Sequence, residues 1–119
     1  MLMSASDPVA AALGTALDGL LLRQRVVADN IANIDTPGFI ASSVDFESSL
    51  RGALADGTLT DGDVSPAVTR SSATPGANGN NVDLSAETMT ALQATFRYQL
   101  LSRAVGDRHS LITTAIGGY

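Results

Sequence analysis

Apolar residues at heptad spacing, cut off by a proline, constrain this chain more than any other feature. Leu13, Leu20, Val27 and Ile34 lie seven residues apart, and Leu17, Gln24 and Ile31 interleave with them at four and three. That spacing is an a/d seam of about three heptads with one polar position, Gln24. Asp7 suits an N-cap and Pro8 a first helical residue, so the seam predicts a helix over 8–34. At about 1.5 Å per residue such a helix is a rod about 40 Å long. Leu22 and Val26 sit off the seam and point to a second contact face. Gln24 either fixes register, as polar residues in a seam do, or faces a wet edge; the spacing allows both.

The stop is written in "DNIANIDTPGF", residues 29–39. Thr36 precedes proline, which disfavours the right-handed helical conformation there, so the helix must end by about Asn33 or Asp35. Asn33 tolerates a left-handed conformation and suits the position just past the helix end. Pro37-Gly38 fits the two central positions of a type II turn, after which Phe39 folds back as an apolar anchor.

A second helical pattern covers 82–116, with Ser85 as candidate N-cap and Thr88 where a capping box prefers Glu or Gln. One apolar stripe runs Met89, Leu92, Phe96, Leu100, Ala104, Leu111, Ala115; another runs Ala94, Tyr98, Leu101, Val105, Ile112, Ile116. Gly117 and Gly118 end the pattern. Together the stripes cover too much of the helix for a single neighbour. Two long helices do not bury that many stripes between them, so contacts with partners are expected. In the middle, 35–55 reads as the turn and a short helix, with Asp45 as a cap and Phe46, Leu50 and Leu54 spaced by four. Residues 56–81 are rich in Gly, Ser, Thr, Asp and Pro and read as a flexible loop, with "PAVTR" as a possible short strand.

Composition narrows the function classes. The chain is 45% hydrophobic but only 4% aromatic, so few large side chains are available to close a globular core. Net charge is −5, and all seven basic residues are scattered arginines, which leaves no patch to neutralise phosphates and speaks against nucleic acid. Without cysteine there are no disulfides or thiolate metal sites. No apolar run approaches the roughly 20 residues of a membrane span, and the N-terminus lacks the basic start of a secretory signal. His109, the single histidine, stands beside Asp107 and Arg108 with no matching serine or cysteine constellation, and reads as a solvated helix residue. Asp56, Asp61 and Asp63 lack EF-hand spacing and its closing glutamate, and read as an acidic turn. "GANGNN" lacks the lysine of a phosphate loop and reads as linker. No catalytic residue, metal or cofactor is expected. A small metal-dependent enzyme built on His109 and the Asp-rich loop is kept only as an alternative.

"NIANIDTPGF" resembles the signature near the N-terminus of flagellar axial proteins, the rod, hook and hook-associated family. Asn30, Ile31, Ala32, Asn33, Asp35, Thr36, Pro37, Gly38 and Phe39 occupy its positions, while Ile34 stands where a small residue is usual. "GNNVDLSAETM" at 79–89, the "FRYQLL" that follows at 96–101, and "VDFESSLRGAL" at 44–54 are similar to short proximal-rod members of that family. The resemblance implies an all-α fold in which long N- and C-terminal helices pack as an antiparallel coiled-coil-like hairpin, with a short helix and a flexible loop between them. It implies a non-enzymatic structural subunit of the basal-body proximal rod, polymerising into the axial shaft that transmits torque to the hook. Implied partners are copies of the chain, other rod proteins, the basal-body adaptor at the rod base and the flagellar type III export apparatus. Export would need no cleaved signal peptide, and neither nucleic acid nor membrane insertion is implied. Assembly contacts are expected at Leu13, Leu17, Leu20, Val27 and Ile31, and at Met89, Leu92, Phe96, Leu100, Leu101, Val105 and Ile112. Asn30 and Asn33 would bond backbone at the turn or in a neighbouring subunit. Phe46 and Leu50 fit the Phe-x-x-x-apolar form that engages the export gate in that family, or are simply one face of a short helix. The other class left open is a cytoplasmic helical adaptor or chaperone that binds a partner helix.

Overall fold

The heptad seam forms the first helix of the computed structural model, which describes residues 8–57, 59 and 65–117. Helix α1 spans Pro8–Ala32, two residues shorter than the seam predicts. Its last turn tightens: the Asn33 and Ile34 amides reach back to the Asn30 and Ile31 carbonyls at 3.2 Å, and Thr36 then bonds Asn33 O at 3.0 Å. Asp7, the expected N-cap, lies outside the described residues.

Strand β1 (Ser42–Asp45), helix α2 (Glu47–Asp56), strand β2 (Ala67–Arg70) and helix α3 (Leu84–Gly117) follow in order. The two strands pair antiparallel, from Ser42 opposite Arg70 to Asp45 opposite Ala67. The architecture is thus helical with a small sheet added. The "PAVTR" segment does supply β2, and the reading of 56–81 as one flexible loop does not hold for 65–81. Long-range pairing with "SSVD" orders that stretch, a signal that no local pattern carries.

Caps set the helix starts. Asp45 Oδ1 accepts the Ser48 amide at 3.0 Å at the entry to α2, and Gly57, at φ 71°, closes that helix by bonding Ala53 O. At α3 the cap is Asp83, two residues before the expected Ser85: its carboxylate accepts the Ala86 amide at 3.2 Å, and its carbonyl accepts Glu87 N at 2.9 Å. Ser85 already lies inside the helix.

Helices α1 and α3 run antiparallel. Asn30 meets Glu87, Gln24 meets Thr95, and Ala16 and Leu20 stand level with Leu101. The folded chain is long and thin, 64 × 30 × 15 Å. Its core is small: Ala16, Leu20, Val44, Phe46 and Ala94, with Leu22, Val26, Leu50, Tyr98 and Leu101 packed around them. Leu22 and Val26, off the seam, therefore do face a second contact, within the chain itself.

Phe46 is the keystone of that core. Its ring lies on the backbone of Gly19, where a Cβ would overlap it. The Arg23 guanidinium sits over the ring at 4.8 Å, donates to Val44 O at 2.6 Å, and grips Glu47 with both terminal nitrogens at 2.9 and 2.6 Å. That grip holds the Glu47 carboxyl below its ordinary range.

Adding one methyl at Gly19 tests this packing. Gly19→Ala raises helix propensity by up to about 1 kcal/mol, yet it must push the Phe46 ring off α1, an overpacking cost of about 1–3 kcal/mol. Denaturant melts should show a net loss of stability, and an unchanged or higher midpoint would contradict the packing.

Candidate assembly joint and outer helix face

The proline stop leaves carbonyls at the end of α1 without helical partners. Residues 36–39 form the expected turn: Phe39 N bonds Thr36 O at 3.2 Å, and Gly38 has φ 76°, the left-handed value a type II turn needs. Asn33 works differently from the expectation. Among the described residues no non-glycine has positive φ, so Asn33 is not a left-handed cap. Its amide still bonds Asp29 O at 3.1 Å, which keeps it in the helical region. Its side chain does the work instead, donating to Asp29 O at 2.8 Å and accepting from Thr36 Oγ1 at 3.1 Å.

Carbonyls of this turn are also gripped from far along the chain. Asn80 Nδ2 donates to Asn33 O at 2.8 Å, Ile34 O at 3.0 Å and Thr36 O at 2.9 Å, while its Oδ1 accepts Val82 N at 2.7 Å. The two glycines make the approach possible: at Gly79 (φ 78°) a Cβ would stand 3.2 Å from Gly38 Cα, and Gly38 N bonds Asn78 O at 2.9 Å. Asn81 completes the seam. Its Oδ1 accepts Ala41 N at 2.7 Å, its Nδ2 donates to Ala73 O at 3.1 Å, and its amide bonds Phe39 O at 3.2 Å. "GANGNN" is therefore a clasp and not a linker. Both asparagines are buried.

Asn30 ties three elements together. It is 1% exposed, accepts Ser42 N at 3.0 Å, and donates to Ser42 O at 2.7 Å and Glu87 Oε1 at 2.6 Å. These bonds fall within the chain, joining α1, β1 and α3. Burial pushes the Glu87 carboxyl above its ordinary value; the bond from Asn30 opposes that shift and the nearby Asp83 charge adds to it.

The apolar seam of α1 is spent largely inside the subunit: Leu20 and Val27 are buried, and Leu13, Leu17 and Ile31 half-buried. Gln24 bridges the long helices, donating to Thr95 Oγ1 at 2.6 Å, as a register-fixing residue does. The stripes of α3 point in opposite directions. Ala94 is buried and Tyr98, Leu101, Val105 and Ile112 half-buried on the α1 side. On the other side Met89, Leu92, Phe96 and Leu100 are 56, 62, 61 and 50% exposed. Phe46 is buried and Leu50 half-buried, so the Phe-x-x-x-Leu pair is not displayed by the folded chain.

His109 is exposed on α3 and Asp56 is exposed at the end of α2, while Asp61 and Asp63 lie outside the described residues. Among the described residues no three His, Cys, Asp or Glu side chains gather, and no helix is long and apolar enough to cross a membrane.

Known proteins share this arrangement's sequence. A family model described as "Flagella basal body rod protein" matches residues 12–39, the seam and the turn. The "Flagellar basal body rod protein FlgB" of Borreliella burgdorferi is 37% identical across 72% of this chain and 78% of its own length. Its namesake in Bacillus subtilis is 36% identical across 89% of this chain and 92% of its own. That of Cereibacter sphaeroides (strain ATCC 17023) is 32% identical across 89% and 94%.

Two substitutions probe the clasp. Asn80→Ala leaves three carbonyls without that donor and should cost about 2–3 kcal/mol in denaturant melts; a loss within error of zero would dismiss the clasp. Glu87→Gln keeps an oxygen for Asn30 and removes a charge that burial disfavours. Because the folded state binds that proton more tightly than the unfolded chain, the parent loses stability as pH rises from the ordinary carboxyl value through the raised one. The variant should therefore melt later than the parent at pH 7 and match it below about pH 4. A variant less stable at pH 7 would reverse the assignment.

Proposed function

The chain belongs to the flagellar basal body rod protein family, and from that membership we propose that it assembles through the outer face of α3 into the proximal part of the rod. It is a structural subunit of the flagellar basal body, and the adaptor or chaperone alternative is not favoured: the relatives aligned along most of both chains are rod proteins. Its task is mechanical, without enzymatic activity: it transmits torque along the axial shaft towards the hook.

One observation carries the choice of face. Met89, Leu92, Phe96 and Leu100 form a row of large apolar side chains that the subunit leaves at least half exposed. Fully burying such a side chain is worth about 1.5–3 kcal/mol, and with about half of each already covered a neighbour on the row gains about 1 kcal/mol or more per side chain. The chain's own copies, other rod proteins and the adaptor at the rod base are the partners this row serves. Residues held inside the subunit, such as Leu20 and Val27, support assembly only by keeping α3 straight and in register.

We propose that the chain is exported through the flagellar type III apparatus, the route that the family resemblance implies. Phe46 is buried against Gly19 and Arg23, so a Phe46–Leu50 signal is readable only before folding. Phe46→Ser should lower the amount of subunit secreted; export at the parental rate would remove the pair from the export role.

Charge on the outer row tests the assembly face. Leu92→Asp and Phe96→Asp should leave helicity intact, since both side chains point outward, and abolish rod assembly and motility. Motile cells with normal rods would overturn the assignment.

A further inference from the structure

The clasp contains the one Asn-Gly step of the chain. Asparagine is chemically labile, because the backbone nitrogen of the next residue can attack its side-chain amide carbon. A side chain on that next residue hinders the approach. Asn30, Asn33, Asn80 and Asn81 precede Ile31, Ile34, Asn81 and Val82, and Asn78 alone precedes a glycine. Asn78 is also exposed, so water and base reach it.

In the fold, the peptide plane between Asn78 and Gly79 is pinned on both sides. Its carbonyl, Asn78 O, accepts Gly38 N at 2.9 Å, and its amide, Gly79 N, donates to Gly76 O at 2.9 Å. That second bond, with no positive φ at Ala77 or Asn78, makes Gly76–Gly79 a type I turn, in which ψ of Asn78 is about 0°. At that angle the Gly79 nitrogen eclipses the Asn78 nitrogen. A five-membered ring needs it eclipsed instead with Cβ, the next substituent round the tetrahedral Cα. Closing the ring therefore swings the peptide plane and breaks both bonds. A third bond, from Asn80 N to Asn78 Oδ1 at 3.2 Å, holds the side-chain amide itself.

We infer that Asn78–Gly79 is a deamidation site that the clasp keeps closed: the chain reacts there while unfolded and is protected once folded. In the unfolded chain, base takes the Gly79 amide proton and the nitrogen attacks Asn78 Cγ. The bond from Cγ to Nδ2 breaks, ammonia leaves, and a cyclic imide remains. Water then opens the ring. Breaking the bond from nitrogen to Cγ leaves an ordinary aspartyl linkage. Breaking the bond from nitrogen to the main-chain carbonyl carbon leaves the β-linked isomer, whose backbone runs through Cβ.

The β-linked product does not fit the joint. Its former main-chain carbonyl has become a carboxylate, so the partner of Gly38 N is displaced, and the chain before Gly79 is one atom longer. At Gly79 a Cβ would already stand 3.2 Å from Gly38 Cα, which leaves no slack for that extra atom. The clasp thus protects the intact chain and rejects the isomerised one.

Peptide mapping by mass spectrometry of the full chain, aged at mildly alkaline pH in buffer and in concentrated urea, tests this. The parent should deamidate at Asn78 about tenfold or more slowly in buffer than in urea, since only the opened fraction reacts. Asn80→Ala removes a donor to three carbonyls of the joint and should raise the rate in buffer several-fold, with the rate in urea unchanged. Equal parental rates in the two solvents would overturn the inference, as would an Asn80→Ala rate in buffer no faster than the parent's. The β-linked fraction should melt earlier than Asn78→Asp, which carries the same new charge on an ordinary backbone. Identical melts would show that the joint accepts the isomer, against the inference.

Discussion

A helix forced to end at a proline turns its closing carbonyls out of the helical ladder, and the side-chain amide of Asn80 binds three of them, Asn33 O, Ile34 O and Thr36 O. That interaction places residues 33–36 against 79–81 and so decides where the third helix begins. With α3 starting beside the end of α1, the two long helices run antiparallel. Asn30–Glu87 and Gln24–Thr95 then repeat the register further along the hairpin. A short loop chemistry thereby sets the geometry of a 64 Å body.

The segment between the helices is held by the same logic of satisfying backbone groups. β1 pairs with β2 on one edge, and its other edge is occupied by side chains: Asn30 bonds both backbone polar groups of Ser42, and Arg23 bonds Val44 O. A two-stranded ribbon on its own is marginal in water. Here it is anchored to α1 along one edge and by Val44 and Phe46 in the core. The core is too small to bury α3 on all sides, and the side it leaves bare is the row from Met89 to Leu100. Economy of large side chains inside the subunit and availability of large side chains outside it are two views of one distribution.

Much of this was legible in the residues. The seam, the type II turn at Pro37-Gly38, the short helix after Asp45 and the two stripes of α3 all follow from local periodicity and turn chemistry. What local reasoning missed depends on distant partners. Nothing near Asn80 says that its amide meets carbonyls more than forty residues earlier, so "GANGNN" reads as linker until the fold is known. Asp83 and Ser85 are both acceptable caps by type, and the joint, by positioning Asn80 and Val82, selects Asp83. Phe46 looks like a helix-face residue at spacing four, and only the missing side chain at Gly19, 27 positions earlier, explains why it is buried. A glycine inside a strong helical pattern was the available signal.

The central claim is that an internally clasped hairpin presents one bare helix face to its neighbours. A density map of the assembled rod at side-chain resolution tests it most directly. The account predicts Asn80 still bonded to the Asn33, Ile34 and Thr36 carbonyls, with Met89, Leu92, Phe96 and Leu100 buried against an adjoining subunit. A rod in which that row faces solvent, or in which the clasp opens and its asparagines bond a neighbour, would contradict it.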